Sequence, residues 1–279
     1  MFTHYMYNTL WVNPAYAGTR DAFTITGIHR SQWSGYDGAP SDQTITMHSP
    51  FLNGKMGAGL SLLNDRIGPV KNTVIALDLD YQVRLTKKSR LSFGLKGMLS
   101  MYDSDLSALR LDNPDDEIFK ENIHRSSFNA GSGVYYFSER FYAGLSSPKL
   151  LQNSLAAGNG IKEQRHYFFI AGAVIDLGKN VKLKPTCFIK ITANAPVQSD
   201  ITASFLLKEK FSLGAMYRTG DATGILAGYN VTEQFALGYS FDWSYSKALA
   251  KYKGISHEVM LRYDLVSKNK SRIKSPRFF

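Results

Sequence analysis

Histidines, a lone cysteine and clustered carboxylates are the residues of this sequence that could carry out chemistry, and their spacing matches no catalytic or metal-binding motif. The six histidines lie far from any nucleophile motif, and no Gly-x-Ser-x-Gly sequence occurs. Cys187 is the only cysteine, so a disulfide within the chain is impossible, and its place in an apparent strand favours a packing role. We therefore expect no enzymatic activity, no cofactor and no metal site.

The densest group of carboxylates lies in the segment 103–126. Together with Asn113 these side chains could bind calcium, but their spacing does not follow the calcium-loop pattern. We therefore expect a long, solvated loop. The acidic residues are Asp103, Asp105, Asp112, Asp115, Asp116 and Glu117.

Composition limits the possible classes of protein. Hydrophobic residues make up 44% of the 279 positions, yet the mean hydropathy is −0.21, and no apolar run is long enough for a membrane-spanning helix. A membrane β-barrel remains compatible, because its strands alternate apolar and polar residues, and 13% aromatic residues suit its interfacial girdles. The net charge of +10 suggests anionic lipid or an acidic protein as a partner. The basic residues are scattered and carry no recognition motif, so we expect neither nucleic acid nor a small-molecule substrate.

Short alternating runs indicate strands throughout the chain. In Phe235–Trp243 the large apolar residues occupy odd positions, which a strand places on one face and a helix would spread around its circumference. Without a linker to divide the runs, they predict one all-β domain, a transmembrane antiparallel up-and-down barrel of about 14 strands. The predicted strands are 22–32, 42–50, 56–65, 73–85, 90–102, 127–138, 141–147, 165–177, 181–192, 198–207, 211–218, 222–231, 235–244 and 256–265.

Connection lengths predict the orientation of the barrel. Short and long connections tend to alternate along the chain, and outer-membrane barrels place tight turns at the periplasmic rim. This assignment places both chain ends in the periplasm. It divides the chain into a periplasmic or plug lead-in (1–21), the barrel (22–265) and a basic periplasmic tail (266–279). The segment before residue 22 opens with Met1-Phe2-Thr3-His4 and shows no signal peptide, which we expect to have been cleaved or omitted.

Two alternative folds place the polar face of each strand in different surroundings. In a soluble β-protein the apolar face would point into a core and the charges into water. In a membrane barrel the apolar face meets lipid and the charges line the lumen. We favour the barrel, and the charges expected in its lumen are Asp78, Asp80, Arg84, Lys96, Arg218, Asp242, Arg262 and Asp264.

The N-terminal sequence YMYNTLWVNPAYAGTRD, residues 5–21, resembles the start of mature proteins of the PorP/SprF family of type IX secretion system membrane proteins. The segments RSQW (30–33) and DGAP (37–40) extend the resemblance, as does FYAGLSSPKLL (141–151). Further similar segments lie at 59–65, 67–69, 89–96, 133–136 and 275–279, so nearly the whole chain is covered. The resemblance implies an outer-membrane barrel of a Bacteroidota-type bacterium that belongs to the secretion or gliding machinery.

The resemblance also implies partners and a set of motif residues. Such proteins support export or surface attachment of a large secreted protein, often an adhesin, through its C-terminal domain, and some contact other secretion components. The motif residues that could contact a partner are Asn13, Pro14, Ala15, Tyr16, Ala17, Gly18, Trp33, Ser147, Pro148, Lys149 and Leu150.

Two interpretations of Asn13–Gly18 stay open. Pro14 disfavours helix at Asn13 and Gly18 permits a tight turn, so the segment is either a plug or periplasmic contact, or a structural clasp folded into the barrel mouth. Two other functions also stay open. A diffusion channel would take its selectivity from the lumen charges, and a structural barrel would stabilise the motor complex.

Overall fold

The chain forms one closed antiparallel β-barrel. The computed structural model describes residues 2–106, 122–153, 163–245 and 254–265. The strands are β1 (Phe23–Ser31), β2 (Ser41–Phe51), β3 (Met56–Ile67), β4 (Val70–Arg84), β5 (Ser89–Ser104), β6 (Ile123–Ser138), β7 (Phe141–Ser147), β8 (His166–Ala173), β9 (Ile175–Asp176), β10 (Val181–Thr192), β11 (Gln198–Leu207), β12 (Phe211–Arg218), β13 (Ala222–Asn230), β14 (Phe235–Ser244) and β15 (Ile255–Leu265). A short α-helix, α1 (Thr9–Val12), and two 3-10 helices, Pro14–Tyr16 and Leu52–Gly54, complete the described elements.

Strand pairing closes the sheet. β1 pairs with β15 from Phe23↔Leu265 to Ser31↔His257, so the first and last strands are neighbours. β8 and β9 both pair with β10 and are one barrel strand, interrupted at Val174. The barrel therefore has 14 strands, and the predicted fold class is confirmed.

The prediction of a loop over all of 103–126 was wrong at both ends. β5 continues to Ser104 and β6 starts at Ile123, because the antiparallel pairing persists through Asp103↔His124. Asp103 therefore lies in a strand, with its carboxylate 2.7 Å from the His124 imidazole. Of the other acidic residues, Asp105 follows β5 directly, whereas Asp112, Asp115, Asp116 and Glu117 lie outside the described residues.

The outer face carries an aliphatic belt with aromatic residues towards both ends. Leu77, Leu95 and Ile225 are 64%, 69% and 59% exposed, although each sits in a strand. Phe211 and Tyr229 stack with ring centroids 4.7 Å apart at one end of the barrel, and Trp243 is exposed at the other. Lipid is the environment that solvates such a belt. The soluble alternative is thereby excluded.

The interior is filled by the chain itself. We call residues 2–22 the N-terminal plug. Its Tyr5, Met6 and Leu10 form a buried cluster with wall residues that include Tyr142 and Phe188. Fourteen strands enclose a lumen too wide for wall side chains alone to fill, and the plug supplies the remaining volume. Among the described residues, no helix is both long and apolar enough to cross a membrane.

Candidate functional site: the plugged lumen

The plug runs along the lumen from one end towards the other. We call the end with connections 52–55, 85–88, 139–140, 177–180, 208–210 and 231–234 the short-turn rim, and the opposite end the long-connection rim. Thr3 and His4 contact Glu258, which lies near the start of β15 and so towards the long-connection rim. Arg20 contacts Asp264, next to the last residue of β15 at the short-turn rim. The first described residues therefore lie inside the barrel, and the plug leaves it where β1 begins.

Hydrogen bonds to a buried carboxylate of the wall hold the start of the plug. The backbone N–H groups of Thr3 and His4 donate to the Glu258 carboxylate at 2.8 and 2.7 Å. Arg30 of β1 lies 3.1 Å from the same carboxylate and 2.7 Å from that of Asp242. These groups are nearly inaccessible to solvent, so each charge depends on its partners here.

A second ion pair holds the end of the plug. The Arg20 guanidinium donates to both carboxylate oxygens of Asp264, at 3.1 and 2.9 Å. The Thr24 hydroxyl donates to the same carboxylate at 2.7 Å, and the Arg262 guanidinium lies 3.4 Å away. A two-pronged guanidinium–carboxylate contact fixes orientation as well as distance. It therefore sets the position at which the plug joins β1.

Aromatic residues of the plug pack on the wall between the contacts at Glu258 and those at Asp264. Tyr5 stacks on Phe188 with centroids 5.0 Å apart, and its hydroxyl lies 2.9 Å from that of Thr186. The Tyr7 ring lies 5.2 Å from the Lys184 ammonium and 5.3 Å from the Arg262 guanidinium, which are cation–π distances. Both rings thus combine apolar packing with a polar contact to the wall.

The Asn13–Gly18 motif is folded by its own first residue. The Asn13 side-chain oxygen accepts from the Ala15 N–H at 3.0 Å and so caps the short 3-10 helix that Pro14 begins. Its amide nitrogen donates to the Val134 carbonyl of β6 at 3.1 Å. Gly18, at a φ of 68°, donates its N–H to the buried His48 imidazole. The motif is therefore a compact turn fastened to the wall.

A row of wall glycines lets this motif, and Leu10 before it, lie directly against the strand backbone. We call these residues the glycine wall, namely Gly57, Gly59, Gly94, Gly133 and Gly144. A methyl group on Gly94 would overlap the backbone of Ala15, and one on Gly57 would overlap the Ala17 carbonyl. What packs against Gly57, Gly59 and Gly133 is therefore the plug.

The motif residues predicted to be possible partner contacts are buried. Asn13, Ala15 and Ala17 are 0% exposed, and Pro14, Tyr16 and Gly18 are also buried. A partner could therefore reach them only if the plug moved. Trp33 lies at the long-connection rim, where its indole faces Gly254 just before β15.

The second motif, residues Ser147–Leu150, folds back into the long-connection rim. Ser147 ends β7, the backbone of Pro148 packs on Gly131, and the Leu150 N–H donates to the Ala130 carbonyl at 2.8 Å. The Lys149 ammonium lies 2.9 Å from the Glu163 carboxylate.

Glu163 is itself held by several donors. Its other carboxylate oxygen accepts from the Asn129 and Asn153 amides, each at 3.0 Å. Burial alone would raise the pKa of Glu163, but the hydrogen bonds and the Lys149 charge lower it below its ordinary value. Glu163 thus anchors the second motif as a carboxylate at neutral pH.

Most of the charges predicted for the lumen are buried there in pairs. Lys96 lies 2.9 Å from Asp78 and donates to the Leu10 carbonyl of the plug, and Arg218 donates to both oxygens of Asp200. Asp80 accepts from Ser92. Asp242, Arg262 and Asp264 surround the plug as described above. Arg84 ends β4 and is exposed at the short-turn rim.

Sequence reasoning did not identify several residues that hold the plug. Arg30, Lys184, Asp200 and Glu258 all lie on the polar side of their strands, so alternation was the signal that could have found them. His4, Tyr5, Tyr7 and Arg20 lie outside any strand, and no periodic pattern indicates their contacts. Together with the residues above, they make the lumen a closely packed polar interface.

Comparison with known proteins identifies the family. The family model described as type IX secretion system membrane protein PorP/SprF matches residues 1–263. This chain belongs to the PorP/SprF family. The match covers the plug and nearly the whole barrel, and the prediction made from the sequence motifs is confirmed. The chain is therefore a non-enzymatic outer-membrane barrel of the type IX secretion family.

Two solved structures are similar to this chain. The toluene transporter TbuX of Ralstonia pickettii superposes with a TM-score of 0.56 at 7% identity, covering 92% of this chain and 93% of that chain. The outer membrane protein Omp33 of Acinetobacter baumannii matches with a TM-score of 0.48 at 11% identity, covering 89% and 100%. No curated protein sequence matches the chain. At such identities the TbuX likeness supports the barrel fold alone.

Proposed function

We propose that this PorP/SprF protein is a plugged barrel of the type IX secretion and gliding machinery. In this role it supports export or surface attachment of a large secreted protein, such as an adhesin, through that protein's C-terminal domain. Membership of the PorP/SprF family supports the assignment to the type IX secretion system. The observation that supports the rest of the proposal is the plug, whose residues 3–20 occupy the lumen. Hydrogen bonds to the Glu258 carboxylate hold it towards one end, and the Arg20–Asp264 ion pair holds it at the other.

The same observation weighs against the rival function, a diffusion channel. Its selectivity would come from lumen charges such as Asp78, Lys96 and Arg262, but in the described residues Asp78 and Lys96 form a pair and Arg262 packs on the plug. A filter needs charges that face a water-filled path. Conductance in planar bilayers separates the two functions: a silent barrel fits the plugged component, and a steady open pore fits the channel.

We further propose that the short-turn rim faces the periplasm. The basic tail at 266–279 would then meet periplasmic components of the apparatus, while the long-connection rim with Trp33 and the Ser147–Leu150 motif would face the secreted partner. The rule that barrels place tight turns inside supports this orientation. An epitope inserted after residue 265 should be inaccessible to antibody on intact cells, whereas one inserted at Ser34 should be accessible. The reverse pattern contradicts the orientation.

Gene deletion tests the secretion role. Surface proteins are compared by mass spectrometry between the parent strain and the deletion strain. One large secreted protein with a C-terminal sorting domain should disappear from the surface and return when the parent chain is supplied. It should also co-purify with a tagged copy of the barrel. An unchanged set of surface proteins contradicts the proposal.

A matched pair of variants connects the test to the structure. Asp264→Asn removes the carboxylate that holds the plug, whereas Arg84→Gln changes one exposed charge at the same rim. If the docked plug is part of the mechanism, the first variant should reduce display of the partner and the second should not. Equal display in both variants would separate the plug from the secretion role.

A further inference from the structure

Basic side chains gather at the barrel mouth, near the point where the plug leaves the lumen. The connection 52–55 and the connection 85–88 contain three lysines between them and no acidic residue. The two connections are adjacent, because the backbone N–H of Gln82, near the end of β4, donates to the Lys55 carbonyl at 2.7 Å. Two arginines flank the second connection. We call the resulting surface the basic mouth patch, namely Lys55, Arg84, Lys87, Lys88 and Arg90.

The two arginines of the patch lie directly opposite each other. Arg84 and Arg90 are cross-strand partners in β4 and β5, and like charges in such a pair destabilise a sheet. Arg90 is compensated, since its guanidinium lies 3.2 Å from the carboxylate of Asp21 at the end of the plug. The other four cations of the patch are exposed and form no ion pair within the described part of the chain. The patch therefore has positive charge to spare.

Acidic and basic residues are mixed on the other side of the mouth. There Lys182 lies 2.9 Å from the carboxylate of Glu209, in the connection 208–210, and 3.8 Å from that of Asp176. Arg140 also pairs with Asp176, at 2.6 Å. Strands β11 and β12 lie across the barrel from β4 and β5. An acid-free cluster of bases is thus a feature of the β2–β5 side of the mouth.

The arginines of the patch face the mouth of the barrel and not the surrounding lipid. Arg84 continues the inward face of β4 that Gln82 occupies, and Arg90 continues the inward face of β5 that Ser92 occupies; both of these neighbours are buried. Val83, between Gln82 and Arg84, faces outward and is 38% exposed. Lipid headgroups surround the outer circumference of a barrel, whereas a polypeptide in the aqueous phase can reach its mouth. The orientation therefore favours a polypeptide ligand.

The size of the patch favours a ligand with several negative charges. Its cations extend from the start of β3 to the start of β5, a distance of about 10 Å at the usual spacing between strands. That distance exceeds the reach of one small anion and suits a segment with several carboxylates. The tail at 266–279 has basic residues and no Asp or Glu, so its side chains do not complement the patch.

We propose that the basic mouth patch is a docking site for an acidic segment of another protein. Asp and Glu side chains of that segment pair with Arg84 and the lysines, in the way that arginine clusters recognise acidic motifs. Because Arg90 already holds Asp21, the docked segment lies beside the last residues of the plug. The inference rests on the proposed orientation only in making this partner a periplasmic protein. Binding itself depends on neither the orientation nor the secretion role.

Fluorescence anisotropy with the purified full-length barrel in neutral detergent tests the proposal. The probes are a short fluorescent peptide of alternating Glu and Ser, and the same peptide with Gln in place of Glu. We expect the Glu peptide to bind, with an affinity that falls as salt is added, and the Gln peptide not to bind. Absence of Glu-peptide binding, or equal binding of the Gln peptide, overturns the proposal. Displacement of the Glu peptide by phosphatidylglycerol but not by phosphatidylcholine assigns the patch to lipid and also overturns it.

Paired charge reversals locate the binding. Lys87→Glu combined with Lys88→Glu should weaken binding of the Glu peptide at least about tenfold. The matched control is Lys208→Glu combined with Lys210→Glu, which makes the same change of charge across the mouth. It should weaken binding less than about threefold, because salt at about 0.15 M screens exposed charges more than about 8 Å apart. Equal weakening by the two pairs would mean binding by overall charge and would contradict a local site.

A single loss of charge should have a small effect. Arg84→Gln leaves the other cations of the patch in place and should weaken binding less than about fivefold. Heat-modifiable migration on gels checks that each barrel is folded. If the Lys87 and Lys88 pair of reversals does not fold, Lys55→Glu combined with Lys87→Glu decides. Parent-like binding in that folded barrel contradicts the assignment.

Discussion

Two sides of the lumen hold the same plug by different physical means. The glycine wall on β3, β5, β6 and β7 accepts the Asn13–Gly18 turn by close approach of one backbone to another. The opposite side, which we call the charged wall, comprises Arg30, Lys184, Asp242, Glu258, Arg262 and Asp264 on β1, β10, β14 and β15. It holds the two ends of the plug by ion pairs and charge-assisted hydrogen bonds.

Because the two walls hold the plug differently, they are sensitive to different substitutions. The glycine wall depends on absent side chains, so one added methyl group is enough to displace the plug. The charged wall depends on matched partners, so loss of one partner leaves a buried charge without compensation. Added volume and removed charge therefore test the two walls separately. The common reporter is a cysteine at position 9, Thr9→Cys in a Cys187→Ser background, because Thr9 is 1% exposed within the docked plug.

The largest effect is expected from Asp264→Asn in the charged wall. It removes the carboxylate that Arg20 and Arg262 both contact, at a cost of about 3–5 kcal/mol for breaking a buried pair. Maleimide labelling at position 9 should accelerate roughly 100-fold or more. The control is Asp176→Asn, which removes an exposed partner of Arg140 and should change labelling little. Equal rates in the two variants would show that the charged wall does not hold the plug.

The next effect is expected from Gly94→Ala in the glycine wall. The new methyl group meets the backbone of Pro14 and Ala15, which cannot move without shifting the plug. At about 1–3 kcal/mol for an overpacked site, labelling at position 9 should rise roughly five- to 150-fold. Gly97→Ala on the same strand meets only the Phe128 ring at 3.8 Å and is the matched control. An unchanged rate in Gly94→Ala would rule out the backbone contact.

A smaller effect is expected from Asn13→Ala. The change removes the cap on the Ala15 N–H and the hydrogen bond to the Val134 carbonyl, each worth about 1 kcal/mol. Labelling at position 9 should increase by about 25-fold, which is the effect of about 2 kcal/mol. Asn230→Ala removes one exposed hydrogen bond to the Glu209 carbonyl and should leave the rate within about twofold. The hydrogen-bond account is refuted if Asn13→Ala behaves like this control.

The smallest effect is expected from Glu163→Gln at the long-connection rim. There the Ser147–Leu150 motif is held by the same two kinds of contact as the plug. Pro148 packs on a wall glycine, Gly131, and Lys149 forms an ion pair with Glu163. Because the Lys149 side chain is partly exposed, the pair should contribute no more than about 1 kcal/mol. Trypsin cleavage after Lys149 should accelerate less than about fivefold, and labelling at position 9 should not change. A large change at position 9 would mean that the two motifs are coupled.

The pH dependence of this contact has a definite sign. Because the pKa of Glu163 is lowered in the folded protein, its contribution is present above the ordinary carboxyl pKa. That contribution is lost as the pH falls through the lowered value. Melting temperatures of the parent and of Glu163→Gln should therefore differ at neutral pH and converge in acid. Melting temperatures that differ equally at both pH values would contradict the role of the carboxylate.

The strands could be predicted from sequence because each strand faces lipid on one side and a polar, packed interior on the other. Leu77 and Asp78 are neighbours in β4, yet the first meets lipid and the second is buried with Lys96, so residue types alternate with a period of two. The residues at which strands end were harder to predict from the sequence. At Asp103 and His124 polar residues continue the pairing, and polarity alone cannot distinguish that from a loop.

The plug contacts could not be predicted, because they join residues distant in the sequence without a repeating pattern. Arg20 and Asp264 pair across 244 positions, and nothing in either local sequence indicates the other. A glycine inside a strand pattern suggests close backbone approach, but it does not say which residue approaches. Only the fold shows that Ala15 packs on Gly94 and Asn13 on Gly133.

Protection of position 9 in the intact outer membrane tests the central claim most directly. Outer-membrane vesicles carrying Thr9→Cys, or Ser34→Cys as the exposed reference, are treated with a charged maleimide in the Cys187→Ser background. A plug docked with a free energy of about 3 kcal/mol predicts labelling at position 9 at least about 100-fold slower than at position 34. Similar rates at the two positions would contradict a plug that fills the lumen.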